Sequence, residues 1–354
     1  MPGVAVGPSR PGIAGGVSIL RAADTEVSWP RVFDTDTFGP IGLRLDFFDE
    51  RNGWVIDRTS GASSRIFHTA DAGASWSSQT ENVAPIAGLV ELYDLEFTSV
   101  ERGVAVGGVI PETHVAFDAR PVVLTTTDGG ASWSKASFSR LPGRGDRPGA
   151  LSSVCFVSSD VAVAAGSSAF SGPVVLRTVD GGATWADITA ALSFGGGDLA
   201  RVSSVGCASP ASFWVGGNGF TGLQVPAVLF SADAGATWSD RSPSLGRELR
   251  DRTPTLDFVD ETHGWMILER SLVVLRTEDG GVSWTEQPLP AETHGILTAL
   301  DFVDASNGVL VGLDDAADGS PALILATHDG GADWRRPEVA PDVLGLSDVS
   351  LSAR

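Results

Sequence analysis

Short runs of alternating apolar and polar residues recur along the whole chain. The stretch RLDFFDERNGWVI from Arg44 shows the plan, because two alternating runs flank a tight polar turn. Alternation with a period of two around such a turn predicts a β-hairpin. Copies of the same plan start at Asp94, Thr255 and Ala299 and, more loosely, at Ser153 and Ser204.

A second string, rich in glycine and ending in tryptophan, follows most of these hairpins. It reads TTDGGASW from Thr126 to Trp133 and follows the apolar run VVL. Close copies read TADAGASW, TVDGGATW, SADAGATW, TEDGGVSW and THDGGADW. Together the two strings define a unit of about 50 residues with strands A, B, C and D, and the glycine-rich turn joins strands C and D. Four antiparallel strands per repeat are typical of a β-propeller blade.

Six units are evident, and the two chain ends supply parts of a seventh. ILRAADTEVSW, which ends at Trp29, aligns with VLRTEDGGVSW of the fifth unit, although Ala22 and Glu26 replace the usual hydroxyl and glycine. DVSLSAR at the C-terminus resembles a strand A without a strand B, and GVAVG from Gly3 repeats GVAVG from Gly103. We therefore predict an all-β, seven-bladed propeller of four-stranded antiparallel blades as a single domain over 1–354. One blade is expected to combine 345–354 with 1–30, and the others to cover about 42–80, 92–138, 151–190, 202–241, 254–288 and 297–337.

The glycine-rich string resembles the Asp box of bacterial neuraminidase repeats, Ser/Thr-x-Asp-x-Gly-x-Ser/Thr-Trp. In that family the box forms the turn between the third and fourth strands, and the resemblance implies the same place here. Its aspartate could be a ligand or catalyst, or it could accept hydrogen bonds from its own turn. Six copies spread around a ring cannot converge on one substrate, so we expect a structural role. The box residues are Asp71, Asp128, Asp180, Asp233, Asp279 and Asp329, with Trp76, Trp133, Trp185, Trp238, Trp284 and Trp334 expected to pack against the neighbouring blade.

The charge of the chain narrows the range of partners. The net charge is -20, which repels phosphate backbones and anionic membrane surfaces, so we do not expect nucleic-acid binding. We predict a soluble protein because no apolar run reaches about 18 residues, the minimum for a membrane span. The first 20 residues lack a basic start followed by an apolar run, so we expect no signal peptide. The chain as read would be cytoplasmic, the alternative is a processed form of an exported protein, and the localisation stays open.

The residues that commonly carry chemistry show little pattern. Cys155 aligns with Glu96 and Cys207 with Phe97 in strand A of their units. Adjacent strand positions point to opposite faces, so we expect two buried thiols and no disulfide. The histidines lack zinc spacing, and the acids of LDDAADGS from Leu313 lack the alternating spacing of a calcium loop. We therefore predict no catalytic residue, no metal and no cofactor.

Arginines cluster in three consecutive loops between strand D of one unit and strand A of the next. These loops and the B–C loops lie at the blade ends opposite the boxes, where loops on a rigid scaffold can carry function. The arginines could dock an acidic partner, because arginine pairs bidentately with carboxylates. Alternatively, they are solvated charges in weak ion pairs. The candidate binding residues are Arg140, Arg144, Arg147, Arg201, Arg247, Arg250 and Arg252.

Asp-box propellers include sialidases, xyloglucan-cleaving glycosidases, sortilin-type receptors and photosystem II assembly factors, and fold alone does not choose among them. The single tyrosine, Tyr93, and the absence of an early Arg-Ile-Pro motif disfavour a sialidase. The hairpins F-x-D-x-x-x-G-W, from Phe47 and Phe258, combined with T-x-D-G-G-x-S/T-W boxes resemble the photosystem II assembly-factor family over essentially the whole chain.

Members of that family are non-enzymatic, usually exported, and dock a newly made membrane-protein chain through an arginine-rich surface. The resemblance therefore implies a binding scaffold for a protein or peptide partner, and we expect a monomer. The alternative is a carbohydrate-binding or glycoside-cleaving propeller. Two carboxylates about 5 to 10 Å apart in a deep pocket would favour that alternative.

Overall fold

The computed structural model shows an all-β, seven-bladed β-propeller of mostly four-stranded antiparallel sheets. It describes residues 2–8, 17–35, 42–58, 62–80, 83, 86–110, 119–138, 149–168, 172–189, 192, 199–219, 225–244, 253–268, 271–315, 322–340 and 343–351. Within these ranges, no helix is long and apolar enough to cross a lipid bilayer.

The strands follow one another in the order that the repeat predicts. Near the N-terminus lie β1 (Gly3–Pro8), β2 (Val17–Ala22), β3 (Ser28–Trp29) and β4 (Arg31–Thr35). The first blade has β5 (Leu43–Phe47), β6 (Gly53–Asp57), β7 (Arg65–Thr69) and β8 (Ser77–Ser78), and the second has β9 (Leu89–Phe97), β10 (Gly103–Ile110), β11 (Arg120–Thr126) and β12 (Ser134–Lys135). After β13 (Ser137–Phe138), the third blade has β14 (Ala150–Phe156), β15 (Ala162–Ser168), β16 (Gly172–Thr178) and β17 (Thr184–Asp187).

The later blades repeat this order. The fourth has β18 (Leu199–Cys207), β19 (Phe213–Gly219), β20 (Pro226–Ser231) and β21 (Ser239–Asp240), and the fifth has β22 (Pro254–Phe258), β23 (Gly264–Leu268), β24 (Val274–Thr277) and β25 (Thr285–Glu286). The sixth has β26 (Ile296–Phe302), β27 (Gly308–Leu313) and β28 (Ala322–Thr327), and the chain continues through β29 (Glu338–Val339) to β30 (Asp348–Leu351).

A terminal blade contains strands from both ends of the chain, in the order β30-β1-β2-β4. β30 pairs antiparallel with β1, so that Leu351 faces Gly3 and Asp348 faces Val6. Closure of a complete ring by this blade stays a prediction.

The described residues form two compact units. One comprises Met1–Glu81, Ile267–Arg276 and Glu286–Arg354, and it holds the terminal, first and sixth blades. The other comprises Asn82–Met266 and Thr277–Thr285, and it holds the second, third and fourth blades. The predicted single domain and the predicted blade bounds stay predictions.

Apolar layers fill the space between neighbouring blades. One layer joins Val104 and Val106 of the second blade to Val174 and Leu176 of the third. Strand B is covered on both faces, and β6 is accordingly buried at every position. This explains why strand B lacks a strict apolar–polar alternation. Such alternation is typical of sheets that expose one face to solvent.

Strand A of several blades contains a β-bulge opposite a glycine of strand B. In the second blade, Val106 faces Asp94 but Gly107 faces Leu92, so Tyr93 is the extra residue. A Cβ atom on Gly107 would lie only 1.9 Å from the carbonyl oxygen of Glu91, so this position requires glycine. The second glycine of GVAVG therefore permits the bulge, which the alternation pattern does not reveal.

Side chains of strand A bond the backbone of the next blade's strand A. In the second and third blades, Asp94 Oδ2 accepts a hydrogen bond from Val154 N at 2.9 Å, and Glu96 Oε2 accepts one from Phe156 N at 3.0 Å. Strand A is an edge strand, so alternate N–H groups have no ladder partner within their own sheet. The neighbouring side chain supplies the acceptor that these N–H groups need. We call each such link between strands A a rung.

The first compact unit contains equivalent rungs. Asp348 Oδ2 accepts from Leu45 N at 2.9 Å, and Ser350 Oγ accepts from Phe47 N at 3.0 Å. Asp301 Oδ2 likewise accepts from Leu351 N at 2.7 Å. The acids that precede the strand-A phenylalanine thus have a structural role that the sequence analysis did not assign.

Cys155 and Cys207 form a disulfide with a Cα–Cα distance of 6.1 Å, so the prediction of two thiols is wrong. The two positions do point to opposite faces of their sheets, but they belong to consecutive blades. Each blade has one face toward the following blade and one toward the preceding blade. Where two blades stack, side chains from these two different faces meet. Cys155 occupies the position of Glu96, and Cys207 that of Phe156, so the disulfide replaces a rung.

Candidate functional site

Each Asp-box carboxylate is bonded within its own turn. Asp128 Oδ1 accepts from Thr126 Oγ1 and Ser132 N, both at 2.8 Å, and its Oδ2 accepts from Ser132 Oγ at 2.6 Å. Asp71, Asp180, Asp233 and Asp279 accept the equivalent bonds. Asp329 also accepts from Thr327 Oγ1 and Asp333 N, at 2.8 and 2.9 Å. These local bonds explain the boxes as turn-forming elements.

The lowered pKa values of the box aspartates make the free energy of unfolding depend on pH in the acidic range. Hydrogen bonds from the Ser75 hydroxyl and amide lower the pKa of Asp71 to about 2 from the ordinary 3.8. Bonds from Ser132 likewise lower the pKa of Asp128. A carboxyl with a depressed folded-state pKa stabilises the fold above its unfolded pKa and loses that contribution as pH falls through the folded value.

We therefore expect the free energy of unfolding to fall between about pH 4 and about pH 2. Urea denaturation at several acidic pH values measures this fall, and Asp71→Asn should make it smaller. The carbon resonance of the Asp71 carboxyl provides the control, because it should titrate near pH 2. Titration of Asp71 at the ordinary 3.8 would contradict the prediction.

The box tryptophans lie in the layers between blades and also contact strand A of their own blade. Trp185 is 1% exposed and packs with residues of the second and third blades. Trp133 meets Phe97 edge-on, with ring centroids 5.9 Å apart. Trp76, Trp284 and Trp334 meet Phe47, Phe258 and Phe302 in the same geometry. The phenylalanine of the hairpin string and the tryptophan of the box are therefore structural partners.

The degenerate seventh box, which ends at Trp29, makes a contact with the sixth blade. Glu26 stands where the other boxes have glycine, and its Oε2 accepts a hydrogen bond from Arg335 Nη1 at 3.0 Å. His328 Nε2 lies 3.4 Å from the same oxygen. His328 lies in the box of the sixth blade and Arg335 directly follows that box, so the Glu26–Arg335 ion pair links the sixth and terminal blades.

The end of each blade opposite its box contains the start of strand A, the end of strand B and the start of strand C. In the second blade this follows from the register, which places Leu89 beside Ile110 and Val109 beside Arg120. We define the loop-side sector as these ends of the second to fourth blades, represented by Glu91, Tyr93, Arg120 and Arg201. Arg120 and Arg201 are exposed, so the sector presents guanidinium groups to solvent.

Only one residue of the predicted arginine cluster can be placed. Arg201 lies on β18, opposite Asn218 and beside a bulge. The remaining members, Arg140, Arg144, Arg147, Arg247, Arg250 and Arg252, lie outside the described residues. Arg241 lies in a loop of the same set, but its guanidinium stacks over the Phe230 ring at 5.3 Å. Arg241 therefore has a packing role.

The residues at the bulges contribute a polar feature that the sequence analysis missed. Ser152 Oγ and Ser203 Oγ bond to backbone carbonyls of the next blade, at 3.2 Å to Val202 O and 2.7 Å to Pro254 O. Tyr93 occupies the equivalent position, but its hydroxyl donates to Glu91 Oε2 at 2.5 Å. The loop-side sector thus holds a phenol–carboxylate pair on its second blade, the blade that also contains Arg120.

The acidic LDDAADGS segment does not present a cation site in its described part. Asp314 is buried and paired with Arg336, as Asp57 is with Arg65 in the first blade. Asp318 lies outside the described residues. No group of three or more histidine, cysteine or acidic side chains within the described ranges could hold a metal ion.

Comparison with known proteins shows which proteins this chain resembles. A family model described as photosynthesis system II assembly factor YCF48 matches residues 245–348. The photosystem II assembly lipoprotein Ycf48 of Synechococcus sp. (strain CC9902) is 22% identical over 331 residues, which cover 93% of this chain and 84% of that protein.

Two solved structures share the fold. YCF48 bound to D1 peptide has a TM-score of 0.52 and 18% identity, covering 83% of this chain and 80% of its own. The GH74 xyloglucanase of Xanthomonas campestris has a TM-score of 0.55 and 17% identity, covering 83% of this chain and 44% of its own. The fold and the boxes define this chain as an Asp-box β-propeller with bacterial neuraminidase repeats. Within that class it resembles the photosystem II assembly factor Ycf48.

Proposed function

We propose that the protein is a non-enzymatic assembly scaffold that docks a carboxylate-bearing peptide segment of a partner protein on the loop-side sector. The observation that carries this proposal is the position of Arg201, which is exposed at the start of β18 on a rigid, bulged strand. A guanidinium held by a strand can bind a carboxylate bidentately with little loss of backbone freedom.

Two further observations support a peptide. The similar YCF48 structure holds a D1 peptide, and the similar Synechococcus protein is a photosystem II assembly lipoprotein. The net charge of -20 disfavours general attraction of acidic chains, so binding must depend on local arginines. The arginines outside the described residues, including Arg144 and Arg250, are proposed to extend the same surface.

Peptide binding by charge-reversed variants tests this proposal. The probe is a fluorescent peptide rich in aspartate and glutamate, compared by anisotropy with its asparagine–glutamine counterpart. Arg201→Glu, and Arg144→Glu with Arg250→Glu, should raise Kd for the acidic peptide by about tenfold or more. Arg102→Glu is the matched control, because this exposed arginine lies in the A–B turn at the box end of the second blade.

The proposal predicts that Arg102→Glu leaves Kd unchanged and that the neutral peptide binds weakly to every variant. Equal weakening by Arg102→Glu and Arg201→Glu would overturn docking at the loop side. Binding of a xyloglucan oligosaccharide in place of the peptide would favour the carbohydrate-binding alternative.

A further inference from the structure

The Cys155–Cys207 disulfide lies at a seam whose described strand-A hydrogen bonds have only neutral acceptors. At the seam between the second and third blades, carboxylates of Asp94 and Glu96 accept the backbone N–H groups. At the seam between the third and fourth blades, Ser153 replaces Asp94, and Val205 N donates to its hydroxyl at 3.3 Å. A hydrogen bond to a charged acceptor is roughly twice as strong as a neutral one.

The serine hydrogen bonds at this seam are also neutral and long, and a charged donor, Arg177 Nη2, lies 3.4 Å from Pro210 O in the A–B turn. Ser152 Oγ donates to Val202 O, and Val202 N donates to Ser167 Oγ, both at 3.2 Å. No charged rung joins β14 to β18 among the described residues. The covalent bond therefore stands where equivalent seams have a carboxylate or hydroxyl acceptor.

The disulfide is within reach of small thiols. Cys155 and Cys207 are half-buried, and Cys207 is the last residue of β18, next to the A–B turn of the fourth blade. Partial exposure permits attack by a thiolate on a disulfide sulfur, which is the step that begins exchange.

We propose that this disulfide is a redox-sensitive strap that holds the third and fourth blades together when the protein is in an oxidising compartment. It forms by exchange with a dithiol oxidant or glutathione disulfide. One cysteine thiolate attacks the oxidant and releases one of its sulfurs as a thiol, and the second cysteine then displaces the other. Two protein thiols and one external disulfide become one protein disulfide and two external thiols. Disulfides that persist are typical of such compartments and are rare in the cytoplasm.

Reduction breaks the covalent rung and leaves a thiol, a weak acceptor, at the position of the Glu96 carboxylate. The seam then keeps its apolar layer, which includes Val163, Val205 and Phe213, and its neutral serine bonds, but it loses the covalent link. We expect the melting temperature of the reduced protein to fall by about 5 to 10 °C, since the disulfide spans 52 residues. Amide exchange should accelerate at Val205 and Cys207 and stay unchanged at Val154 and Phe156, which belong to the carboxylate-bonded seam.

Thermal unfolding and hydrogen exchange of the whole protein, with and without dithiothreitol, provide the test. Thiol titration of the unreduced, denatured protein should find no free thiol. Cys155→Ser with Cys207→Ala should melt above Cys155→Ala with Cys207→Ala, because the serine can accept an amide bond as Ser350 does. Neither double variant should respond to dithiothreitol.

Three results would overturn the proposal. These are two free thiols in the unreduced protein, identical melting temperatures of the oxidised and reduced proteins, and equal acceleration of exchange at both seams. Because the wild-type protein is reduced directly, the test remains decisive even where a double variant fails to fold.

Discussion

Truncation after Ser347, which removes β30, is expected to abolish cooperative folding or to lower the free energy of unfolding by more than about 4 kcal/mol. The deleted strand buries Val349 and Leu351, which are 5% and 1% exposed. It also removes the rungs that bond Leu45 and Phe47 to Asp348 and Ser350, and it leaves β1 as an open edge.

Urea denaturation followed by tryptophan fluorescence measures the effect. Truncation after Leu351 is the matched control, because it keeps every described residue of the strand, and its unfolding midpoint should match that of the full chain. Unchanged stability of the longer deletion would show that the C-terminal strand does not hold the terminal blade together. This large effect of a short terminal segment follows from its position as the strand A of a blade.

Trp185→Ala is expected to cost about 3 to 5 kcal/mol. The indole is 1% exposed in the layer between the second and third blades, and its Nε1 donates to Gly182 O at 2.9 Å. Removing it leaves a cavity between two rigid sheets that cannot collapse fully. Chemical denaturation gives the loss directly.

Val179→Ala in the same box is the matched control. Val179 is 58% exposed, so its truncation should change the free energy of unfolding by less than about 0.5 kcal/mol. A loss for Trp185→Ala no larger than that of the control would contradict the inter-blade packing of the box tryptophans.

The repeated strings predicted the fold class because each string specifies a hairpin or turn that forms from residues close in sequence. The alternation around Asn52 and Gly53 encodes a hairpin, and the box around Asp128 encodes a turn that its own residues complete. Such local signals need no knowledge of the neighbouring blade. Six blades followed from these signals, and the seventh followed from matching the two chain ends to the same repeat.

The features that the sequence did not reveal depend on contacts between blades. Side chains at the positions of Cys155 and Cys207 point to opposite faces, so they could not meet within one sheet. In two stacked sheets these two faces lie against each other, so the side chains can meet. The same contact gives Glu96 its rung to Phe156. Alternation also cannot locate the bulge at Tyr93, because one extra residue shifts the period without changing the composition.

The candidate site was only partly accessible to sequence reasoning. The loop-side location followed from the strand order, and Arg201 lies there. The pairing of Tyr93 with Glu91 depends on the bulge, which the sequence did not indicate. Arg241 follows strand D of the fourth blade, and its stacking on Phe230 of strand C is a contact that the sequence pattern does not show.

We propose that partners dock at the blade ends opposite the Asp boxes. Hydrogen–deuterium exchange mass spectrometry with a saturating acidic peptide tests it most directly, since it reports on both ends of each blade at once. We expect slower exchange around 89–93, 119–121, 150–152 and 199–203, with no change over the boxes at 126–133 and 178–185. Protection of the boxes without protection of the loop-side strand starts would contradict it.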